Sequence, residues 1–108
     1  MLVTTCNDVP GRRIAQTLGV VRGLVVRSPN VVSSIAGGLR SLLGGNIAEW
    51  ERTCEAGREE AYARMVKHAQ QMGADAIVAM RYDATEFIQG STEVLAYGTA
   101  VKLAGPGA

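Results

Sequence analysis

Few side chains in this sequence could do chemistry on their own: two cysteines, Cys6 and Cys54, and one histidine, His68. Thiolate and imidazole are the ligands that soft and borderline metals prefer, so these three are the candidate metal-binding residues. Cys54 and His68 fall 14 residues apart in one helical stretch, close to four turns. They point the same way but stand ~21 Å apart along the axis. A zinc site needs its ligand atoms within about 2.0–2.3 Å of one ion, so the pair could share a metal only across a subunit boundary. Each also reads, more simply, as a packed residue on the apolar face of the helix. Cys6 with Asp8 is a second candidate pair, too sparse to close a site by itself.

Catalysis asks for more. A cysteine enzyme needs its thiolate beside a base that a third group orients. Cys6 or Cys54 with His68 is the single combination on offer, and it requires the first strand to end beside that turn of the helix. Glu51, Glu55, Glu59 and Glu60 read as a solvated helix face, and Asp75 and Asp83 sit at strand ends, so no carboxylate pair is set up for acid–base work. The glycines at 37–38 and 44–45 lack the Lys-Ser/Thr with which a glycine loop cradles phosphate. No catalytic residue and no cofactor-binding motif emerge. The expectation is a binding protein, not an enzyme, with a cysteine-dependent enzyme or a pure scaffold as the competing readings.

The bulk properties fit that expectation. At 108 residues the chain is one domain, 47% apolar and 19% charged, with a formal net charge of +1. Arg12 and Arg13 are adjacent, but the other arginines of the first half are scattered, so nothing resembles the cation cluster that displaces counterions from nucleic acid. The start, Met1-Leu-Val-Thr-Thr-Cys-Asn-Asp, has no basic stretch leading into an apolar run, and no segment approaches the roughly 18 apolar residues of a membrane span. Two cysteines without motif spacing suit reduced thiols in a cytoplasm. The domain is expected over residues 1–103, with 104–108 a flexible tail.

The elements that must position these residues follow from periodicity. Met1 to Thr5 favours a short strand, and Val9-Pro10-Gly11 supplies a turn. Arg13 to Arg27 alternates: Ile14, Leu18, Val20, Leu24 and Val26 on one face, and Ala15, Thr17, Gly19, Val21, Gly23 and Val25 on the other. The bulky set reads as the core face, the small set as a face suited to close approach. Gly19 and Gly23 suggest a bulge or bend. At ~3.3 Å per residue this strand spans about 45 Å, so it must bend or pair outside its own subunit. Val31 to Leu43 has helical spacing with a single charge, Arg40, too little for an anionic membrane surface. Asn46 with Glu49 resembles a capping box opening a long helix that ends at Met72-Gly73. Its apolar stripe is Ile47, Trp50, Cys54, Ala61, Met65, His68 and Met72. Ala74 to Asp83 follows as a third strand, with Ala76, Val78, Met80 and Tyr82 on one face. After a Gln89-Gly90-Ser91 turn, Thr92 to Leu103 forms the fourth. The order is β-β-α-α-β-β, an α+β fold in which one long helix crosses one face of a small antiparallel or mixed sheet.

One helix cannot cover both faces of four strands. The opposite face would be left wet over hundreds of Å², more than monomers ordinarily tolerate, and a symmetric homo-oligomer is the simplest partner.

An ordered set of short motifs carries a resemblance. These are Val3-Thr4-Thr5 with Pro10-Gly11, Leu18-Gly19-Val20-Val21-Arg22-Gly23, and Gly44-Gly45. Glu60-Ala61 and Arg64-Met65 follow on the long helix, then Met72 to Val78 running to Arg81-Tyr82-Asp83, and Ala96 to Val101. Together they resemble the YbjQ-like family, small prokaryotic domains whose label is heavy-metal binding, and the likeness spans Met1 to Leu103. It implies a dodecin-related subunit that assembles as a homopentamer, with strand pairing between subunits. Cys6 and Cys54 do not fall on the matching motifs.

Overall fold

A computed structural model describes residues 1–27, 47–88 and 91–105. The segment at 31–43 read as a short helix, the cap at Asn46 and the turn residues Gln89 and Gly90 lie outside the described residues.

Among the described residues, four strands and one helix occur in the order β1 (Leu2–Val3), β2 (Ile14–Arg27), α1 (Ile47–Gln71), β3 (Ala76–Ile88) and β4 (Ser91–Leu103). The sheet order is β1-β3-β4-β2, with β1 parallel to β3 and the other pairs antiparallel. The fold is thus α+β with a mixed four-stranded sheet. Among the described residues, no helix is long and apolar enough to cross a membrane.

Local chemistry accounts for the punctuation. The Val9-Pro10-Gly11 turn is closed by the Arg12 N–H donating to the Val9 carbonyl at 3.0 Å. At the end of α1, the Gly73 N–H reaches the Gln70 carbonyl and the Ala74 N–H the Ala69 carbonyl, both at 3.0 Å. That pair of bonds is a Schellman stop, and it requires the left-handed backbone that Gly73 supplies at φ 79°.

Four expectations about the strands are corrected. β2 does not leave its subunit for want of a partner: it pairs with β4 from Ile14 to Arg27, in a molecule 59 Å long. A register shift falls between Thr17 and Gly19, as the first glycine suggested, but the pairing runs unbroken through Gly23. The third strand runs five residues past Asp83, because Ala84 to Ile88 find partners on β4, and pairing overrides the weak strand preference of Asp and Glu. Its faces also switch midway. A bulge between Val78 and Arg81, with Ala79 at φ 53°, puts Met80 with the helix-side core while Val78 stays on the far face.

The largest correction concerns the core. The small-residue face, not the bulky one, lies under α1: Val21 and Val25 of β2 pack with Ala61, Met65 and Ala69 of the helix and with Val94, Ala96 and Ala100 of β4. Gly23 shows why. A Cβ there would run into the Ala61 carbonyl oxygen and lie 2.5 Å from the Met65 nitrogen, so the helix rests directly on the strand backbone. Of the bulky residues, Leu18 packs against the helix-side core next to the register shift, while Ile14 lies with the far cluster and Val20, Leu24 and Val26 are exposed, so the far face is only half covered. There Val9, carried in by the N-terminal turn, is buried with Ala76, Val78 and Val101, flanked by Ile14 and Leu103. Toward the other end of β2, Val20, Leu24 and Val26 are 67%, 43% and 51% exposed.

Ala104, assigned by composition to the tail, is buried; its N–H donates to the Arg13 carbonyl and its own carbonyl accepts from Arg12, both at 2.8 Å.

Candidate functional site

The N-terminal segment beyond β1 keeps company with β3. Thr4 N–H donates to the Ile77 carbonyl at 2.9 Å, Met80 N–H to the Thr4 carbonyl at 3.0 Å, and Ala79 N–H to the Cys6 carbonyl at 2.7 Å. Arg81 Nη1 ties the same segment down through the Thr5 carbonyl at 2.9 Å. Cys6 is therefore fixed in backbone at the β3 edge while its thiol is exposed.

Cys54 is exposed as well, which corrects its place on the packed stripe. Burial along α1 begins at Gly57, with Ala61, Met65 and Ala69 entering the core, whereas residues 51–56 are all exposed. The helix runs antiparallel to β2, with Arg64 reaching Leu24, His68 reaching Arg22 and Met72 lying beside Gly19, so its first turns project past the part of the strand that it covers.

His68 is half-buried, and its Nδ1 accepts the Arg22 backbone N–H at 3.2 Å. An accepting Nδ1 leaves the ring proton on Nε2. A metal at Nε2 would move that proton to Nδ1, opposite another N–H donor, so ligation by His68 requires the bond to Arg22 to break.

These residues are not brought together within one chain. Cys6 lies along β3 on the β1 side of the sheet and His68 grips β2 on the opposite edge. Three interstrand steps of ~4.8 Å put them about 14 Å apart or more, too far for a thiolate–imidazole pair. Cys54 is ~21 Å up the helix from His68. Among the described residues no group of three or more His, Cys, Asp or Glu could hold a metal ion.

Sequence reasoning passed over two features. Arg64 sends Nη1 to the Leu24 carbonyl at 2.6 Å and Nη2 to Glu60 Oε1 at 2.7 Å. The Glu60–Arg64 pair was legible from its spacing, but its tie to β2 was not. On the rim of β3, the Arg58 guanidinium lies 5.6 Å from the Tyr82 ring centroid. The Tyr82 hydroxyl is held above its ordinary range by desolvation first and by Tyr62 next, with Arg58 opposing. The remaining surface of note is the open apolar end of the far face, where Val20, Leu24 and Val26 are joined by Tyr97 of β4.

Fold and surface define a two-layer α+β domain with one end of its far sheet face open and apolar side chains exposed there. The comparison with family models makes this specific: residues 1–104 match the family described as "Putative heavy-metal-binding". The chain belongs to this YbjQ-like family. Similar proteins include a UPF0145 protein of Chromobacterium violaceum, 57% identical over 102 residues, covering 94% of this chain and 87% of that protein. Another, from Solibacter usitatus, is 50% identical over 101 residues, covering 94% and 90%. Among solved structures, a protein of unknown function from Pediococcus pentosaceus superposes with a TM-score of 0.64, covering 96% of this chain and 98% of that one at 18% identity. At that identity the likeness concerns the fold alone.

Proposed function

We propose that this protein is a self-assembling binding domain in which identical copies bury the open end of the far sheet face. The observation that carries this reading is the patch itself. Val20, Leu24, Val26 and Tyr97 lie on one face of two paired strands and stay in water in the single chain, with Arg22, opposite Tyr97, the one charge among the β2 residues there, and exposed apolar side chains grouped on a regular sheet are the usual mark of an interface. A closed ring is the simplest arrangement for one kind of chain, and the family resemblance suggests five subunits. Light scattering is expected to give about five times the chain mass of 11.4 kDa. Leu24→Lys, which places a charge in the patch without touching the buried core, should lower that mass. A wild-type protein that stays at 11.4 kDa at high concentration would overturn the reading.

Within the assembly, the exposed thiols are the groups available to a soft metal, supported by the family description and by the reach of Cys54 beyond the packed part of α1. His68 joins them only by releasing Arg22. Stoichiometric Zn²⁺ or Cu⁺ uptake in calorimetry, lost on Cys54→Ser, is the expected result; uptake indifferent to that change removes Cys54 from the site. Without any uptake, the scaffold reading takes its place. Activity here means binding rather than turnover.

A further inference from the structure

β2 is an edge strand, and its outer edge is not bare. From Val20 to Arg27 its pairing with β4 is in unbroken register, so backbone groups alternate between the partner strand and the outside. The Arg22 N–H and the Leu24 C=O point outward, and each is taken by a side chain of α1: His68 Nδ1 accepts the first at 3.2 Å, and Arg64 Nη1 donates to the second at 2.6 Å. One acceptor for the N–H and one donor for the C=O are what a neighbouring strand would have offered.

The spacing fits as well. Arg64 and His68 are four residues apart, ~6 Å along a helix. Arg22 and Leu24 are two residues apart, ~6.8 Å along an antiparallel strand. Gly23, between them, is the residue whose missing side chain lets α1 come close enough for both reaches, and Glu60 steadies Arg64 from the preceding turn. The sequence showed these residues separately, as a strand glycine, an exposed helix ion pair and a lone histidine; the fold makes them one device.

We infer that Arg64 and His68 guard the β2 edge against strand addition by a second copy of this chain. Unprotected edges recruit other strands, and natural sheets block them by covering or charging the edge. Here the block is direct. An incoming strand needs the Arg22 N–H and Leu24 C=O, and must displace both side chains to obtain them. Association of copies is thereby channelled away from the middle of this edge. The inference is independent of the apolar patch on the far face.

Hydrogen exchange on the full chain tests it, read with light scattering. In the wild type, the Arg22 amide should exchange at least ~10-fold more slowly than the outward-pointing Leu24 and Val26 amides, which have no such acceptor among the described residues. The variant Arg64→Met/His68→Phe keeps side-chain bulk without the donor and the acceptor. At low concentration its Arg22 amide should lose that protection. As concentration rises its mass should exceed that of the wild type at equal concentration, with Arg22, Leu24 and Val26 gaining protection together. Arg64→Lys, which retains a donor, should behave as wild type. If all three amides are equally slow in the wild type, the edge is already paired and the guard is refuted, while self-assembly stands. If Arg22 is as fast as Val26 in the wild type, no guard exists. A folded double variant whose mass follows the wild type at every concentration refutes it too.

Discussion

Replacing Gly23 by alanine should unseat the helix. The added Cβ would collide with the Ala61 carbonyl oxygen and lie 2.5 Å from the Met65 nitrogen and 2.8 Å from Arg64 Cβ. These atoms belong to neighbouring turns of α1, and two are backbone, so no rotamer change relieves the contact. Atoms of this kind settle at roughly 3.5 Å, which asks the helix to rise by about 1–1.5 Å. A gap of ~0.5–1 Å already forfeits a quarter to a half of the dispersion energy between facing atoms. The facing atoms here are the main core, with Val21 and Val25 beneath Ala61, Met65 and Ala69. Overpacking of a core typically costs ~1–3 kcal/mol, and a clash with backbone belongs at the upper end. Removing a glycine from the unfolded chain offsets only about 0.4–1 kcal/mol. The net loss should be about 2 kcal/mol, a large share of the ~5–15 kcal/mol by which domains are ordinarily stable. In urea, followed by circular dichroism, a slope of about 1–3 kcal/mol per molar turns this into a midpoint lower by about 1 M. Gly105→Ala is the control, since a Cβ there meets nothing within 4 Å. If Gly23→Ala melts with the Gly105→Ala control, α1 does not rest on β2 backbone and the reasoning fails.

Other outcomes follow from single residues. Ala79→Gly should stabilise the protein by up to about 1 kcal/mol in the same titration, because a left-handed alanine is strained by ~1–2 kcal/mol and glycine's extra freedom when unfolded cancels part of the gain. Asp75→Ala removes the carboxylate that accepts the Leu103 N–H at 2.9 Å and should cost roughly 1 kcal/mol. Arg58→Ala removes the one influence that lowers the Tyr82 hydroxyl, so ultraviolet titration should show its ionisation moving further up; an unchanged curve would mean that the guanidinium does not sit over the ring. Because the folded state already raises this group above the ordinary tyrosine value of 10.0, Tyr82 favours folding below that pH and loses its contribution as the pH climbs through the folded value. The slope of stability against pH above 10 should therefore be negative, and Tyr82→Phe should flatten it.

Much of this architecture is written locally. Apolar spacing marks the long helix, Met72-Gly73 its stop, Val9-Pro10-Gly11 the turn, and period-two alternation β2, because each depends on contacts within a few residues. What alternation leaves undetermined is direction. A strand with one bulky and one small face reads the same whichever face lies under a helix, and here close packing chose the small one: with no side chain at Gly23, the helix backbone settles on the strand. The parallel pairing of β1 with β3, the face switch at Ala79 and the burial of Ala104 are likewise long-range outcomes, made by hydrogen bonds between residues far apart in sequence. For the candidate site, sequence gave the reactive side chains but not their company. Cys6, Cys54 and His68 are separated by sheet width and helix length, quantities that exist only once the strands have taken the order β1-β3-β4-β2. The partnership of Arg64 and His68 with the β2 edge arises in the same way, from a helix turn and two strand residues of nearly equal length laid side by side.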